Sequence, residues 1–216
     1  MLSAVRGCRA ALRTGEPPWT SLEDGPAQNE RLLAATPERD PKEVADLLVT
    51  ESRAYRDEAL ASPDETGVWN GGIEVPLAVI AGIEAGDALI HGWDIAATIG
   101  RSWPIERRDA ILVGLSAMEI IPHFVDRSAA AGFSATYGLH LRGGPDVTMV
   151  FDDGALTTSD GRPGRADCRI SADPEAYLLS AYGRTPPWKV ALTGKMAAYG
   201  RRPWLAFKLG TLLRSP

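Results

Sequence analysis

The pattern of apolar residues changes once along this chain, near residue 130. Before that point the segments have helical composition and end at Gly or Pro, as helices do. From Phe133 onward, apolar and polar residues tend to alternate, which is typical of strands with one buried face. A chain of 216 residues is long enough for two small domains. We therefore predict an α+β fold, with a helical domain over residues 1–128 and a small α+β domain over residues 129–216.

Local signals place the elements of both domains. Helices are predicted over residues 2–13, 27–35, 41–60, 74–100 and 105–121, with a loop over 62–72. The helix from residue 41 has the strongest start, because Asp40 is placed as N-cap and Pro41 at the first helical position.

In the second domain, an antiparallel sheet is predicted with a hairpin turn at Asp152-Asp153-Gly154, since Asp and Gly tolerate positive φ. Strands are predicted over residues 136–142, 146–151, 155–159, 167–171 and 192–199, with helices over 173–182 and 203–213. Asp173 is the predicted N-cap of the first of these two helices.

Composition excludes several classes of function. The formal net charge is −5 and the 23 basic residues form no basic run, so no nucleic-acid partner is expected. The longest apolar stretch, residues 75–83, is too short to span a bilayer, and no signal peptide is evident, so no membrane partner is expected. Cys8 and Cys168 lack the spacing of a zinc knuckle or a disulfide framework. A cytoplasmic protein fits these features.

The helix predicted over residues 74–100 carries a polar stripe. At about 100° per residue, Glu84, Asp87, His91 and Asp94 fall on one side of it. Asp87 and His91 are four residues apart, so one divalent metal could bind both, with Asp94 orienting His91 or replacing it. Two ligands do not complete a zinc site. Spacing alone therefore leaves a metal-free polar pair as the alternative.

The run from residue 87 to 100, DALIHGWDIAATIG, followed by Trp103-Pro104, resembles a segment of the mycothiol-dependent maleylpyruvate isomerase family. Members of that family resemble a DinB-like four-helix bundle joined to a sterol-carrier-like domain. The resemblance implies that Asp87 and His91 bind a divalent metal, usually zinc, together with a second His from the first long helix.

The chain departs from that family pattern at two positions. Asp87 stands where the family has Glu, and no His precedes His91. Either part of the first helix is missing or the third ligand has been lost, and the uncapped start at Leu2 favours the first explanation. His123 is expected in a core or interface, and His140 on the open face of a strand.

The resemblance continues over residues 165–179 and over 192–204, which contain a strand, an Asp-Pro helix start and a Thr-Gly-Lys strand. Arg184 is a candidate catalytic residue that could hold a substrate carboxylate, as are Arg201 and Arg202. Cys168 is expected to be a buried apolar residue. Aromatic side chains could line an apolar pocket or simply fill the core: Tyr177, Tyr182, Trp188, Trp204 and Phe207.

Three functions remain open at this point. The first is a mycothiol-dependent isomerase or S-transferase, in which the metal activates a small-molecule thiol towards an electrophilic substrate. The second is a metal-free protein that carries a small apolar ligand in the C-terminal domain. The third is a regulatory partner that dimerises through apolar helix faces, and a homodimer is compatible with all three.

Overall fold

The computed structural model describes residues 1–16, 21, 24–63, 66–70 and 72–214. Residue contacts divide the chain into two compact units, Met1–Ile95 and Ala96–Pro216. The fold is α+β as predicted, with a mainly helical first unit and a second unit built on a sheet. The predicted boundary between residues 128 and 129 lies inside the second unit. The reason is that the helix over residues 107–120 packs against a helix that follows the sheet strands.

Four helices make up most of the first unit: α1 Leu2–Thr14, α2 Gly25–Ala34, α3 Pro41–Ala61 and α4 Leu77–Thr98. In α1 the buried residues recur every third position, so one stripe of this helix packs against α2 and α3. The predicted cap of α3 is confirmed, because the Asp40 carboxylate accepts a 2.9 Å hydrogen bond from the Glu43 amide. Among the described residues, no helix combines the length and apolar character needed to cross a bilayer.

Ion pairs fix α1 along α3. The Arg9 guanidinium bonds the carboxylates of Glu51 and Glu58, the latter at 2.7 Å, and Arg13 also bonds Glu58. These hydrogen bonds from Arg9 and Arg13 lower the pKa of Glu58 to about 2. The two partners of each ion pair lie on different helices. The ion pairs therefore set how α1 is aligned along α3, and with it the direction of the Cys8 side chain.

A short hairpin replaces part of the predicted loop and the predicted start of α4. The strands β1 Gly67–Asn70 and β2 Ile73–Pro76 pair antiparallel, with Val68 opposite Val75 and both buried. Gly72 supplies the positive φ of the turn. Residues 64, 65 and 71 of the predicted loop lie outside the described residues. The helix begins only at Leu77, one position after Pro76, so the prediction of a helix from residue 74 is wrong.

The second unit contains a five-stranded sheet in the order β5-β4-β3-β6-β7. Its strands are β3 Ala135–Leu141, β4 Asp146–Asp152, β5 Ala155–Asp160, β6 Cys168–Ala172 and β7 Met196–Tyr199. The predicted turn is confirmed at Asp153 and Gly154, which have φ of 46° and 85°, whereas Asp152 is the last residue of β4. The predicted antiparallel pairing is confirmed for three of the strand pairs and is wrong for one, because β3 and β6 are parallel.

A crossing segment explains the parallel pair. After β5 the chain passes through residues 161–167 to reach the far side of β3, and it enters β6 in the same direction as β5. Pro163 packs where a Cβ on Gly138 would lie, only 3.1 Å from that position. The Arg169 guanidinium donates to the Pro163 carbonyl at 2.8 Å. A glycine in the middle of β3 therefore makes room for the crossing segment.

Helices cover the apolar face of this sheet. They are α5 Arg107–Ile120, α6 Arg127–Ala130, α7 Pro174–Ala181, α8 Pro187–Leu192 and α9 Leu205–Leu209, with a 3-10 turn at Ile121–Phe124. Of the strand predicted over residues 192–199, the structure forms only β7, and residue 192 is instead the last residue of α8. The helix predicted over 203–213 is shorter in the structure, where it is α9. The predicted cap of α7 is confirmed by the 3.2 Å bond from the Ala176 amide to Asp173.

Gly154 should be more sensitive to substitution than a matched glycine. A Cβ at Gly154 would lie 2.6 Å from the Ala130 carbonyl oxygen, whereas nothing lies within 4 Å of one at Gly161. Both positions have positive φ, so Gly161→Ala reports backbone strain alone. We expect Gly154→Ala to lower the free energy of unfolding by on the order of 1–3 kcal/mol more than Gly161→Ala, measured by urea denaturation. Equal losses in the two variants would contradict the close contact.

Candidate functional site

The polar stripe predicted on α4 exists, but its members differ in environment. Glu84 and Asp87 are half-buried in the first unit, while the His91 side chain is 48% exposed. His91 Nδ1 lies 3.6 Å from Asp94 Oδ2, the pairing expected if Asp94 orients the imidazole. The inner turns of the stripe therefore face the interior of the unit and the outer turn faces solvent.

Glu84 belongs to a polar cluster that joins three helices. The Cys8 thiol on α1 donates a 3.2 Å hydrogen bond to Glu84 Oε1 on α4. Tyr55 on α3 is buried, and its hydroxyl has no hydrogen-bond partner among the described residues. Sequence reasoning missed Cys8 and Tyr55, because residues 8, 55 and 84 meet only through the packing of the helices. The one signal in the sequence was the position of Cys8 in α1, at the three-residue spacing of the apolar residues on the same side of that helix.

Burial governs the protonation of this cluster. It raises the pKa of Glu84 and of Asp87, and the neighbouring His91 side chain partly offsets the increase in the pKa of Asp87. Burial also raises the pKa of the Cys8 thiol, and the Glu84 carboxylate adds to that increase. The Cys8 thiol therefore has no thiolate character near neutral pH and is a hydrogen-bond donor rather than a nucleophile.

The described residues do not complete a metal site. No group of three His, Cys, Asp or Glu side chains among them converges in a way that could hold a metal ion. Asp87 and His91 supply two donors, one fewer than the three protein ligands usual for catalytic zinc. The donor set in the structure thus falls short of the site that the resemblance implies.

The other two histidines lie in the sheet-containing unit. His123 is exposed at the end of the 3-10 turn, not in a core or interface within that unit. His140 lies on the open face of β3 as expected, and its Nδ1 is 3.2 Å from Asp146 Oδ1, without the geometry of a hydrogen bond. Neither side chain contributes to a cluster of three potential ligands among the residues described.

The candidate arginines are engaged by their own unit. Arg184 donates to the Tyr182 carbonyl at 2.6 Å. Arg201 bonds Asp167 at 2.5 Å, and Arg202 lies 3.8 Å from the same carboxylate. The Arg201 bond holds the pKa of Asp167 below its usual range, with the Thr136 amide contributing. Asp167 thereby ties the start of β6 to the segment after β7.

The predicted aromatic lining is divided between two environments. Tyr177 and Tyr182 are half-buried, while Trp188, Trp204 and Phe207 are exposed. Cys168 is fully buried in the sheet core, as expected.

An open cleft of about 600 Å³ lies elsewhere in the unit, beside the β4–β5 turn. Its walls include apolar Pro122, Val125 and Leu156, and its rim includes His123, Arg127 and Asp153. The size is that of a small-molecule site, and the mixed lining suits an amphipathic ligand.

Comparison with known families finds one match in the second unit. Residues 121–213 match the sequence model of the SCP-2 sterol transfer family. The C-terminal region of the chain is therefore similar to an SCP-2 domain, and the matched residues include the sheet and α6 to α9. No curated protein sequence matches the chain.

Solved structures with related folds have low identity. A mutant mycothiol-dependent maleylpyruvate isomerase is 17% identical with a TM-score of 0.47, over 91% of this chain and 72% of that one. Sterol carrier protein 2 like 2 from Aedes aegypti is 16% identical with a TM-score of 0.38, over 49% and 98%. The sec-alkylsulfatase Pisa1 from Pseudomonas sp. is 15% identical with a TM-score of 0.42, over 80% of this chain. The chain spans only 37% of that sulfatase.

Neutralising Glu84 should stabilise the protein near neutral pH. An acid whose pKa is higher in the folded protein than in the unfolded chain destabilises the fold above its unfolded pKa, and this penalty vanishes below both values. Because burial raises the pKa of Glu84, we expect Glu84→Gln to raise the free energy of unfolding at neutral pH. The amide oxygen can still accept from Cys8.

The gain should shrink as the pH falls to about 4, near the unfolded pKa of Glu. Urea denaturation followed by far-UV circular dichroism measures both values. Glu30→Gln is the control, since it removes the same charge from an exposed position on α2. A Glu84→Gln protein no more stable than the wild type at neutral pH would show that the carboxylate is not penalised by burial.

Proposed function

We propose that this protein binds and carries a small amphipathic or apolar molecule in its sheet-containing unit. The observation that carries the proposal is the SCP-2 sterol transfer match over residues 121–213. The open cleft beside the β4–β5 turn is the proposed binding place, because its apolar wall could receive a hydrocarbon body. The charged and polar side chains at its rim would then contact the polar end of the ligand.

The remainder of the unit supports this location. The sheet core beneath the helices is closely packed, and its buried Tyr137 hydroxyl donates to the Leu205 carbonyl at 3.2 Å. The cleft lies at the margin of that core, where Leu156 is buried but Ala131 and Ala155 are exposed. A ligand there needs no rearrangement of the core, so binding would leave the fold unchanged.

Filling the cleft should weaken ligand binding. Ala131 is an exposed residue that lines the cleft, so the indole of Ala131→Trp would occupy part of its volume. We expect the dissociation constant for a fluorescent sterol or a fluorescent long-chain fatty acid to rise by about tenfold or more, measured by fluorescence titration. Ala181→Trp, at the exposed end of α7, is the matched control and should bind like the wild type. A wild-type protein that binds neither probe would refute the proposal.

A second candidate function belongs to the helical unit. The Asp87 and His91 segment resembles that of mycothiol-dependent maleylpyruvate isomerases, which favours a thiol-dependent isomerase or S-transferase with zinc and mycothiol as cofactors. Asp87 and His91 would hold the zinc, and the zinc would favour the thiolate form of the bound thiol, whose reversible addition to an electron-poor alkene would need neither oxidant nor reductant.

Metal content tests the second candidate without an activity assay. If Asp87 and His91 bind zinc, the chain should retain about one zinc ion after purification with zinc and gel filtration, measured by elemental analysis. His91→Ala and Asp87→Ala should then lose it. His123→Ala should keep it, since His123 is an exposed histidine of the other unit. Wild-type protein without zinc would remove the metal-dependent candidate and leave the carrier proposal untouched.

A further inference from the structure

Large apolar side chains are exposed along one edge of the sheet. Strand β7 is the outermost strand on that side, α8 packs beside β7, and α9 packs beside β6. The exposed fractions are 53% for Trp188, 80% for Leu192, 45% for Tyr199, 61% for Trp204 and 67% for Phe207. Single exposed apolar residues are ordinary, but five on three neighbouring elements call for a covering partner. We name α8, β7 and α9 with these side chains the β7 edge.

The charge of the same segment is opposite to that of the whole chain. Residues 176–216 contain seven Lys or Arg and no Asp or Glu, although the chain has a net charge of −5. Three of the four lysines, Lys189, Lys195 and Lys208, lie on or beside the elements of the β7 edge. Arg201 and Arg202 add positive charge there, part of which Asp167 neutralises. The edge therefore combines exposed aromatic rings with a local excess of cations.

Aromatic and basic residues are also close together within the elements. Trp204 and Phe207 are three positions apart at α9, and Trp188 and Leu192 are four apart at α8, so each pair lies on one side of its helix. Lys189 Nζ lies 5.6 Å from the centre of the Trp188 ring. Trp and Tyr favour the interface between water and lipid, and Lys is attracted to anionic headgroups.

We infer that the β7 edge binds the surface of a membrane that contains anionic phospholipid. The aromatic rings of the β7 edge and the Leu192 side chain would enter the headgroup region of the membrane, while the lysines would face the anionic headgroups. The expectation of no membrane partner rested on the lack of a spanning segment and a signal peptide, and binding at the surface requires neither. The inference does not depend on the carried ligand, because vesicles without that ligand measure the surface alone.

Two other occupants fit the edge less well. A second copy of the chain in a two-fold dimer would bring the same cationic patch against itself, which opposes association. Nucleic acid would satisfy the charge but would leave Leu192 and Phe207 without an apolar environment. A lipid surface satisfies both the charge and the apolar side chains.

Vesicle sedimentation with the full chain tests the inference. We expect the wild type to bind vesicles of phosphatidylcholine with phosphatidylglycerol, and to bind pure phosphatidylcholine at least about tenfold more weakly. The triple variant Lys189→Gln, Lys195→Gln, Lys208→Gln should lose roughly 100-fold in partition coefficient, from about fivefold per lysine. Trp204→Ala with Phe207→Ala should lose about tenfold or more. Raising the salt concentration should weaken wild-type binding.

Matched controls separate the edge from general surface effects. Lys42→Gln removes the one lysine outside the segment, and Leu112→Ala removes an exposed apolar side chain from α5, so both should bind like the wild type. Circular dichroism verifies that each variant is folded. Failure of the wild type to bind anionic vesicles would overturn the inference. So would equal losses in the controls, a dimer that Trp204→Ala with Phe207→Ala dissociates, or binding to a DNA oligonucleotide in place of vesicles.

Discussion

The alternation of apolar residues in β3 and β4 is the constraint on which the sheet-containing unit depends. Buried residues recur at every second position of both strands, so they all lie on one face of the sheet. The helices must cover that face, and a shift of one residue in register would expose the whole set. The crossing segment between β5 and β6 lies over Gly138 on the open face, which leaves the apolar face free for the helices. Coverage becomes incomplete at the β7 edge, because α9 is five residues long and buries only Leu205.

Sequence patterns predicted the elements whose signals are local. Asp40 and Asp173 identify helix starts and Asp153-Gly154 identifies a turn, because each acts through its own backbone neighbours. The parallel pairing of β6 could not be predicted in this way, since it depends on where residues 161–167 cross the sheet. The same holds for the site: the polar stripe with Glu84, Asp87 and His91 was visible in the sequence, whereas Cys8 and Tyr55 reach Glu84 from other helices. The sequence Asn70-Gly71-Gly72 between β-forming residues is a signal for the β1–β2 hairpin. The prediction instead assigned β1 to a loop and β2 to the start of the following helix.

Stability alone does not explain the polar interior of the first unit. Burying Glu84 and Asp87 raises the pKa of each, which means that their charged forms are less stable in the fold than in water. The Tyr55 hydroxyl adds a further cost, because it is buried without a hydrogen-bond partner in the described part of the chain, which is destabilising by about 1–3 kcal/mol. The hydrogen bond from the Cys8 thiol to Glu84 offsets only part of this free-energy cost, because a thiol is a weak donor. Such an arrangement is tolerable because the Arg9 and Arg13 ion pairs and the apolar stripe of α1 hold the helices together from outside.

The distribution of charge gives the two ends of the chain different electrostatic character. With seven basic and no acidic residues after Glu175, residues 1–175 carry more negative charge than the net value of −5 shows. A negatively charged surface attracts a segment of this composition more strongly than the acidic segments that precede it. The exposed rings of α8 and α9 lie within the same basic segment, so electrostatic attraction and apolar contact act through one part of the molecule.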